Sequence, residues 1–304
     1  MTVLVTGAGG FIGPAVVRAF RNRGDHVRAL AAAPGEPYQA LPDDVEVRTS
    51  EITDFTAVSE LCRDVACVVH LAGPSSVSAS FADPISFAKT HVLGTLTTLE
   101  AARRAGVGRF VYVSSAEIYG RPTRCPTDET HEPAPRSPYG VAKLAAEQYV
   151  RLYRNTHGLE SITLRPFSVY GPGLSPKSLI GTILAQAASG KVELEDLRPV
   201  RDYCYVDDLA EAIVAASIPT AGNGHHVFNI ASGTGTSVLN LAQIILDLLE
   251  VKLPVETKAR TSRPNDADIN ELVADTSRAR KELNWMIRTS LAQGLAKTMQ
   301  AMSR

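Results

Sequence analysis

Through the first 165 residues, short apolar runs alternate with longer stretches in which apolar side chains recur every third or fourth position. The runs predict strands at 2–6, 26–30, 45–49, 67–71, 109–114 and 161–165. The periodic stretches predict helices at 11–23, 55–63, 84–105 and 138–157. Regular strand–helix alternation implies an α/β protein with a doubly wound parallel sheet, the Rossmann fold, helices covering both faces. After Pro166 the texture changes. Gly171, Pro172, Gly173 and Pro176 mark a loop, and helical patterns follow near 177–189, 207–217, 237–250, 276–283 and 289–302. These predict a smaller C-terminal lobe interleaved with the first. The expected division gives 1–166, with about 201–217 and 227–231, to a dinucleotide-binding domain. It gives about 167–200 and 232–304 to the substrate lobe.

The first strand runs into Thr6-Gly7-Ala8-Gly9-Gly10-Phe11-Ile12-Gly13, and Ile12, Val16 and Phe20 then recur at helical spacing with Pro14 in the first turn. Strand, glycine turn and helix in that order are the setting of a dinucleotide fingerprint. Gly7 permits the tight turn, Gly10 lets backbone N–H groups approach a pyrophosphate, and Gly13 lets helix pack on strand.

Further along, Ser114-Ser115-Ala116-Glu117 precedes Tyr139 and Lys143. Tyrosine and lysine four apart share one helical face. An ammonium beside a phenol stabilises the phenolate, so the expectation is a Tyr139 pKa drawn from about 10 toward neutrality, where it acts as a base. The Ser115 hydroxyl would hold the substrate oxygen. Ser137 is placed to cap this helix, with Pro138 in its first position.

Composition narrows the classes. The 304 residues are 44% hydrophobic and 21% charged, with a formal net charge of -1. There is no basic excess to suggest nucleic acid and no apolar run long enough for a membrane span. The chain enters a strand at once, which predicts no signal peptide. Cys62, Cys67, Cys125 and Cys204 form no C-x-x-C pair and read as free thiols of a cytoplasmic protein. The seven histidines show no metal spacing, and none is assigned to a metal; His225 and His226 read as loop residues.

Together these motifs resemble the extended short-chain dehydrogenase/reductase family, in particular its NAD-dependent nucleotide-sugar epimerases and dehydratases. Further family-like stretches are Val68 to Gly73, Val92 to Thr95, Leu164 to Gly173, Arg201 to Asp208, Phe228 to Ile230, Arg263 to Asp266 and Ala274 to Thr276. The resemblance implies catalysis by Ser115, Tyr139 and Lys143, with Glu117 beside them. It implies cofactor contacts from Gly7, Gly10, Phe11, Ile12, Gly13, Glu51, Ile52, Leu71, Ala72, Gly73, Tyr139, Lys143 and Pro166. Substrate contacts would come from Ser75, Ser115, Glu117, Tyr139, Phe167, Ser168, Leu179, Arg201, Tyr203, Arg263 and Asp266, the two arginines clamping the diphosphate. It also implies a homodimer built on the two helices at 84–105 and 138–157, with apolar residues such as Leu93, Leu96 and Tyr149 outward.

The reaction stays open among several chemistries. Resembling dehydratases carry two acids directly after the hydroxyl residue; here the first position is Ala116, which has no proton to give, and the second is Glu117. This favours a nucleoside-diphosphate-sugar 4-epimerase. A dehydratase or decarboxylase using Glu117, a 4-ketoreductase and a non-catalytic dinucleotide-binding module are the alternatives. The strand at 26–30 ends without the acid common in NAD-specific members, and Glu36 is a candidate for the ribose. NAD is favoured and NADP kept. His91 and Ser168 stand where family members usually have asparagine.

Overall fold

The protein is described by a computed structural model over residues 1–32, 41–218, 226–258 and 269–302. Each predicted strand of the first half forms: β1 (Thr2–Thr6), β2 (His26–Ala31), β3 (Glu46–Thr49), β4 (Cys67–His70), β5 (Arg109–Val113) and β6 (Ser161–Pro166). Between them lie α1 (Gly13–Asn22), α2 (Phe55–Leu61), α3 (Val77–Ala82), α4 (Pro84–Ala88), α5 (Gly94–Arg104) and α6 (Pro138–His157). The second half adds β7 (Ser168–Tyr170), α7 (Leu179–Ala188), β8 (Val192–Leu194), β9 (Val200–Tyr205), α8 (Val206–Ala216) and β10 (Val227–Ile230). It closes with β11 (Gly235–Ser237), α9 (Val238–Leu248), β12 (Val255–Thr257), β13 (Glu271–Leu272), α10 (Ser277–Glu282) and α11 (Leu291–Met302).

Seven parallel strands form the main sheet in the order β10-β6-β5-β4-β1-β2-β3. Its inner strands β1, β4, β5 and β6 are buried on both faces because both are covered, while the edge strand β3 is exposed along its length. Val3, Val5, Val69 and Val111 share one core cluster with Val16 and Phe20 of α1 and Leu209 and Ile213 of α8. Leu4, Val68, Phe110 and Tyr112 face the other way, onto Val58 of α2, Leu99 of α5 and Val150 of α6. Each such apolar side chain taken from water contributes roughly 1.5–3 kcal/mol, which makes this two-sided burial the main stabilising force.

Two details differ from the sequence pattern. The helix expected over 84–105 is broken: Asp83 caps α4 through the Ser86 amide, and a π-helical turn at Lys89–Leu93 separates α4 from α5. The extra residue in that turn buries His91. The segment 201–217 is also divided. Its strand, β9, does not join the seven-stranded sheet. It pairs with β7, β11 and β13 in a second sheet, and only the following helix, α8, packs on α1. The strand part therefore sides with the smaller lobe, because Ser168–Tyr170 leaves the main sheet and offers β9 a partner there. Among the described residues no helix is long and apolar enough to cross a membrane.

Candidate active site

The strand order reverses between β1 and β4, and chain segments leaving the C-terminal ends of β1, β4, β5 and β6 open onto that switch point. Gly7 leaves β1 with φ +71°, and a Cβ there would lie 2.8 Å from the Ala72 backbone, so the turn and the end of β4 require glycine. A Cβ at Gly13 would reach the Ala8 carbonyl at 2.1 Å; only glycine lets α1 start so close to the turn. Gly10 is exposed, and its nearest neighbour to a Cβ would be the Gly7 oxygen at 3.3 Å. A side chain there would crowd the Gly7 carbonyl and cover an exposed stretch of backbone. Ile12 caps α1 without any side-chain bond, leaving the first amides free for an anion. Phe11 is half-buried, and Leu71, Ala72 and the exposed Gly73 continue from β4. Ile52 is buried and Glu51 exposed just past β3. Pro166 ends β6. At the end of β5 the Ser114 hydroxyl is buried without a hydrogen-bond partner. A helix start without a side-chain cap, an exposed glycine and an orphan hydroxyl along the C-terminal edge of the parallel sheet fit a dinucleotide.

Ser115 follows β5 and caps a 3₁₀ turn, its Oγ accepting from the Glu117 amide at 3.2 Å. Tyr139 lies in the first turn of α6, near enough for the Ser115 hydroxyl to favour its ionised form. Ser137 caps that helix by accepting from the Gly140 amide at 3.1 Å, with Pro138 next. Lys143, one turn on, is buried, donates to the Val113 carbonyl at 2.6 Å and lies 4.8 Å above the Tyr112 ring. The electrostatics correct the expectation of a lowered phenol. Burial pushes Tyr139 up to about 12; the Ser115 hydroxyl opposes this and the Glu117 charge adds to it. Burial also lowers Lys143 to about 7, against the pull of Glu147. An ion pair would need both groups charged, and burial disfavours both charges. Ala116 is buried in an apolar cluster with Ile118, Tyr119 and Phe167, so position 116 faces the core.

The remaining predicted positions are spread around this centre. Ser75 is exposed in the loop after β4 and Leu179 begins α7. Phe167 is buried beside Tyr119. Ser168 and Tyr203 are register partners across β7 and β9. Arg201 is half-buried two residues before Tyr203 and donates to the Val200 carbonyl at 2.9 Å. Arg263, Asp266, Glu36 and His225 lie outside the described residues.

Two buried polar groupings were not read from the sequence. His70 Nδ1 accepts from Thr6 Oγ1 at 2.8 Å, and its Nε2 donates to Thr95 Oγ1 at 3.0 Å, since the Thr95 proton goes to the His91 carbonyl. Arg165 holds Glu147 through two hydrogen bonds, at 3.1 and 2.7 Å, and donates to the Tyr119 hydroxyl, which donates to Asn229. The signal was available: a histidine and an arginine inside strands that are buried throughout need buried partners.

Known proteins match this arrangement over the whole chain. The UDP-glucose 4-epimerase of Mycolicibacterium smegmatis is 35% identical over 313 residues, covering 99% of this chain and 98% of that protein. Among solved structures, the Thermotoga maritima UDP-glucose 4-epimerase with UDP-glucose superposes with a TM-score of 0.91 at 30% identity, covering 100% of this chain and 99% of that one. The Thermus thermophilus UDP-glucose 4-epimerase in complex with NAD gives 0.89 at 28% identity, with the same coverage. Residues 3–231 match the sequence profile of the NAD dependent epimerase/dehydratase family. With a profile match over three quarters of its length and a relative 35% identical across nearly all of it, the chain belongs to that family.

Proposed function

We propose that the protein is a nucleoside-diphosphate-sugar 4-epimerase that works with tightly bound NAD on a UDP-sugar. When bound, the nicotinamide supplies the acceptor for the C4 hydride, the return of that hydride and a positive charge near the base. Tyr139 takes the proton of the C4 hydroxyl and gives it back. Ser115, whose hydroxyl favours the ionised form of Tyr139, holds the same oxygen. Lys143, one helical turn on, would hold the nicotinamide ribose, giving up its bond to the Val113 carbonyl. Gly7, Gly10, Gly13 and the free amides of α1 hold the pyrophosphate, while Arg201, Arg263, Tyr203 and Asp266 take the nucleotide end of the substrate. We place the enzyme in the cytoplasm as a homodimer.

The observation that carries epimerisation is Ala116. Its methyl group lies in the Ile118–Tyr119–Phe167 cluster, so the site has no acid at this position for a leaving oxygen at C6. Incubating the protein with UDP-glucose in D2O and following the sugar by NMR tests the reading. Inversion at C4 without deuterium at C5 is expected. Deuterium at C5 with loss of water makes it a dehydratase.

A further inference from the structure

Nothing in the proposed chemistry uses His91. It lies inside the π-helical turn at Lys89–Leu93, only 2% exposed. Its Nε2 is 2.8 Å from the Pro74 carbonyl, which can only accept, so this nitrogen carries the proton. Its ring meets the Tyr139 ring edge-on, 5.4 Å between centroids at 66°. Phe87, one turn earlier on α4, meets the same tyrosine at 6.2 Å and 86°. His91 and Phe87 also touch each other at 5.9 Å. Three rings thus close on one another, and one of them carries the base. The imidazole also fills the space over Gly73, where a Cβ would fall 2.2 Å from its Cε1. An asparagine has no ring to do either.

We propose that His91 is a positioning residue for Tyr139: with Phe87 it forms an aromatic box that fixes the phenol ring, and its bond to Pro74 ties the box to the loop leaving β4. This rests on Tyr139 being the base. The geometry explains why a histidine is suited to the place. Its neutral ring brings an edge to the tyrosine and a donor to the carbonyl, whereas phenylalanine offers only the first and asparagine only the second. Burial, reinforced by the Lys143 charge, lowers its pKa to about 3, so it adds no charge beside the phenol. Fixing the base matters because a displacement of about 1 Å in a reacting group costs up to about 100-fold in rate.

The test compares wild type with His91→Phe and His91→Leu, using the 4-epimerase assay and ¹³C-labelled tyrosine NMR, in which Tyr139→Phe identifies the Tyr139 signals. A boxed ring flips slowly, so wild type is expected to show separate signals for its two edges, and His91→Leu a single averaged set. kcat is expected to fall about 10- to 100-fold in His91→Leu with KM within about twofold, and to stay within about threefold of wild type in His91→Phe, which restores the ring. Averaged signals in wild type, unchanged signals in His91→Leu, or equal kcat losses in both variants overturn the proposal. If His91→Leu does not fold, Phe87→Leu opens the other wall and is expected to give the same averaging; an unchanged Tyr139 ring there overturns it. The NMR result needs no turnover. An inactive wild type with slow ring flips would defeat the 4-epimerase reading and leave the box standing.

Discussion

Lys143 gives its ammonium to the carbonyl of Val113 at 2.6 Å, away from the phenol of Tyr139 one turn before it. Both side chains are buried, and burial drives both toward their neutral forms. Spacing alone therefore does not make the base. A positive charge brought beside Tyr139 would draw the phenol down from about 12, and a bound nicotinamide would be one source of it.

It follows that loading and turnover separate by mutation. Tyr139→Phe keeps the ring in its box and removes only the proton acceptor. Turnover is expected to fall by about 10²–10⁴ or more, with NAD affinity by calorimetry unchanged. Lys143→Met is expected to damage both. Substantial turnover by Tyr139→Phe would show that another group is the base.

A second consequence concerns acid. His70 and His91 are both lowered to about 3, chiefly by burial and then by Lys143. Their unfolded forms take up a proton below about 6.5, whereas the folded forms do not. Folding stability from these groups is thus complete above pH 6.5 and is lost as pH falls from there toward 3. Each contributes a slope of up to about 1.4 kcal/mol per pH unit in that window. Urea unfolding between pH 4 and 7 is expected to show a shallower acid slope in His70→Gln/His91→Phe than in wild type. The same slope in both would mean that the histidines titrate normally in the fold.

Much of this was legible in the sequence where the determinants are local. β1 to β6 follow from apolar runs, and Ser137 and Pro138 announce α6 because a cap and a first-turn proline act within one turn. Gly7 and Gly13 are legible because a left-handed turn and a close helix start admit nothing else. What was not legible depends on partners far apart in the chain. The bond of Thr6 to His70 and that of Arg165 to Tyr119 join separate strands and turns, and no pattern window contains both ends. The π-helical turn is of the same kind. It follows from His91 fitting over Gly73, while the periodicity of 84–105 continues across it. The placement of β9 depended on β7 leaving the main sheet.

The dimer expectation also changes in detail. Leu93 is 48% exposed, but Leu96 and Tyr149 are half-buried against the core on the α5–α6 side. The outward apolar residues of α6 are Val141 and Leu152, 54% and 48% exposed and three turns apart on one face. These fit a helix-on-helix contact between two copies. Wild type is expected to scatter light as a dimer at micromolar concentration, and Val141→Glu/Leu152→Glu as a folded monomer. A dimeric mass for the double variant would place the contact elsewhere.

Arg201 is held on β9, in the second sheet, with Tyr203 two residues on beside Ser168. If it clamps the diphosphate, Arg201→Ala loses a charge-assisted hydrogen bond of about 1.5–3 kcal/mol, and Arg263→Ala the same. Binding of UDP to the NAD-loaded protein, read by calorimetry, is expected to weaken by about 10- to 100-fold in each variant. Unchanged UDP affinity would assign the arginines to the lobe surface.

Glu117 separates the leading reaction from its nearest rival. Its amide donates to Ser115 Oγ, and its charge adds to the raised pKa of Tyr139, so it stands beside the two hydroxyls to which we assign the proton. In a 4-epimerase no C–H bond other than C4–H breaks, and Glu117 has no proton to move. Glu117→Gln is then expected to keep substantial activity, losing at most about tenfold through altered hydrogen bonding. The same change removes a negative charge facing the phenol, so Tyr139 is expected to ionise more readily and the alkaline rise of kcat/KM to shift toward lower pH. In a dehydratase Glu117 would be the base for the C5 proton, and its loss would cost about 10²–10⁴ in rate. The enzyme would then oxidise C4 and stop, with reduced nicotinamide accumulating in the absorbance spectrum. A stalled, reduced Glu117→Gln protein would overturn epimerisation and leave the family, the switch-point site and the Tyr139 base in place.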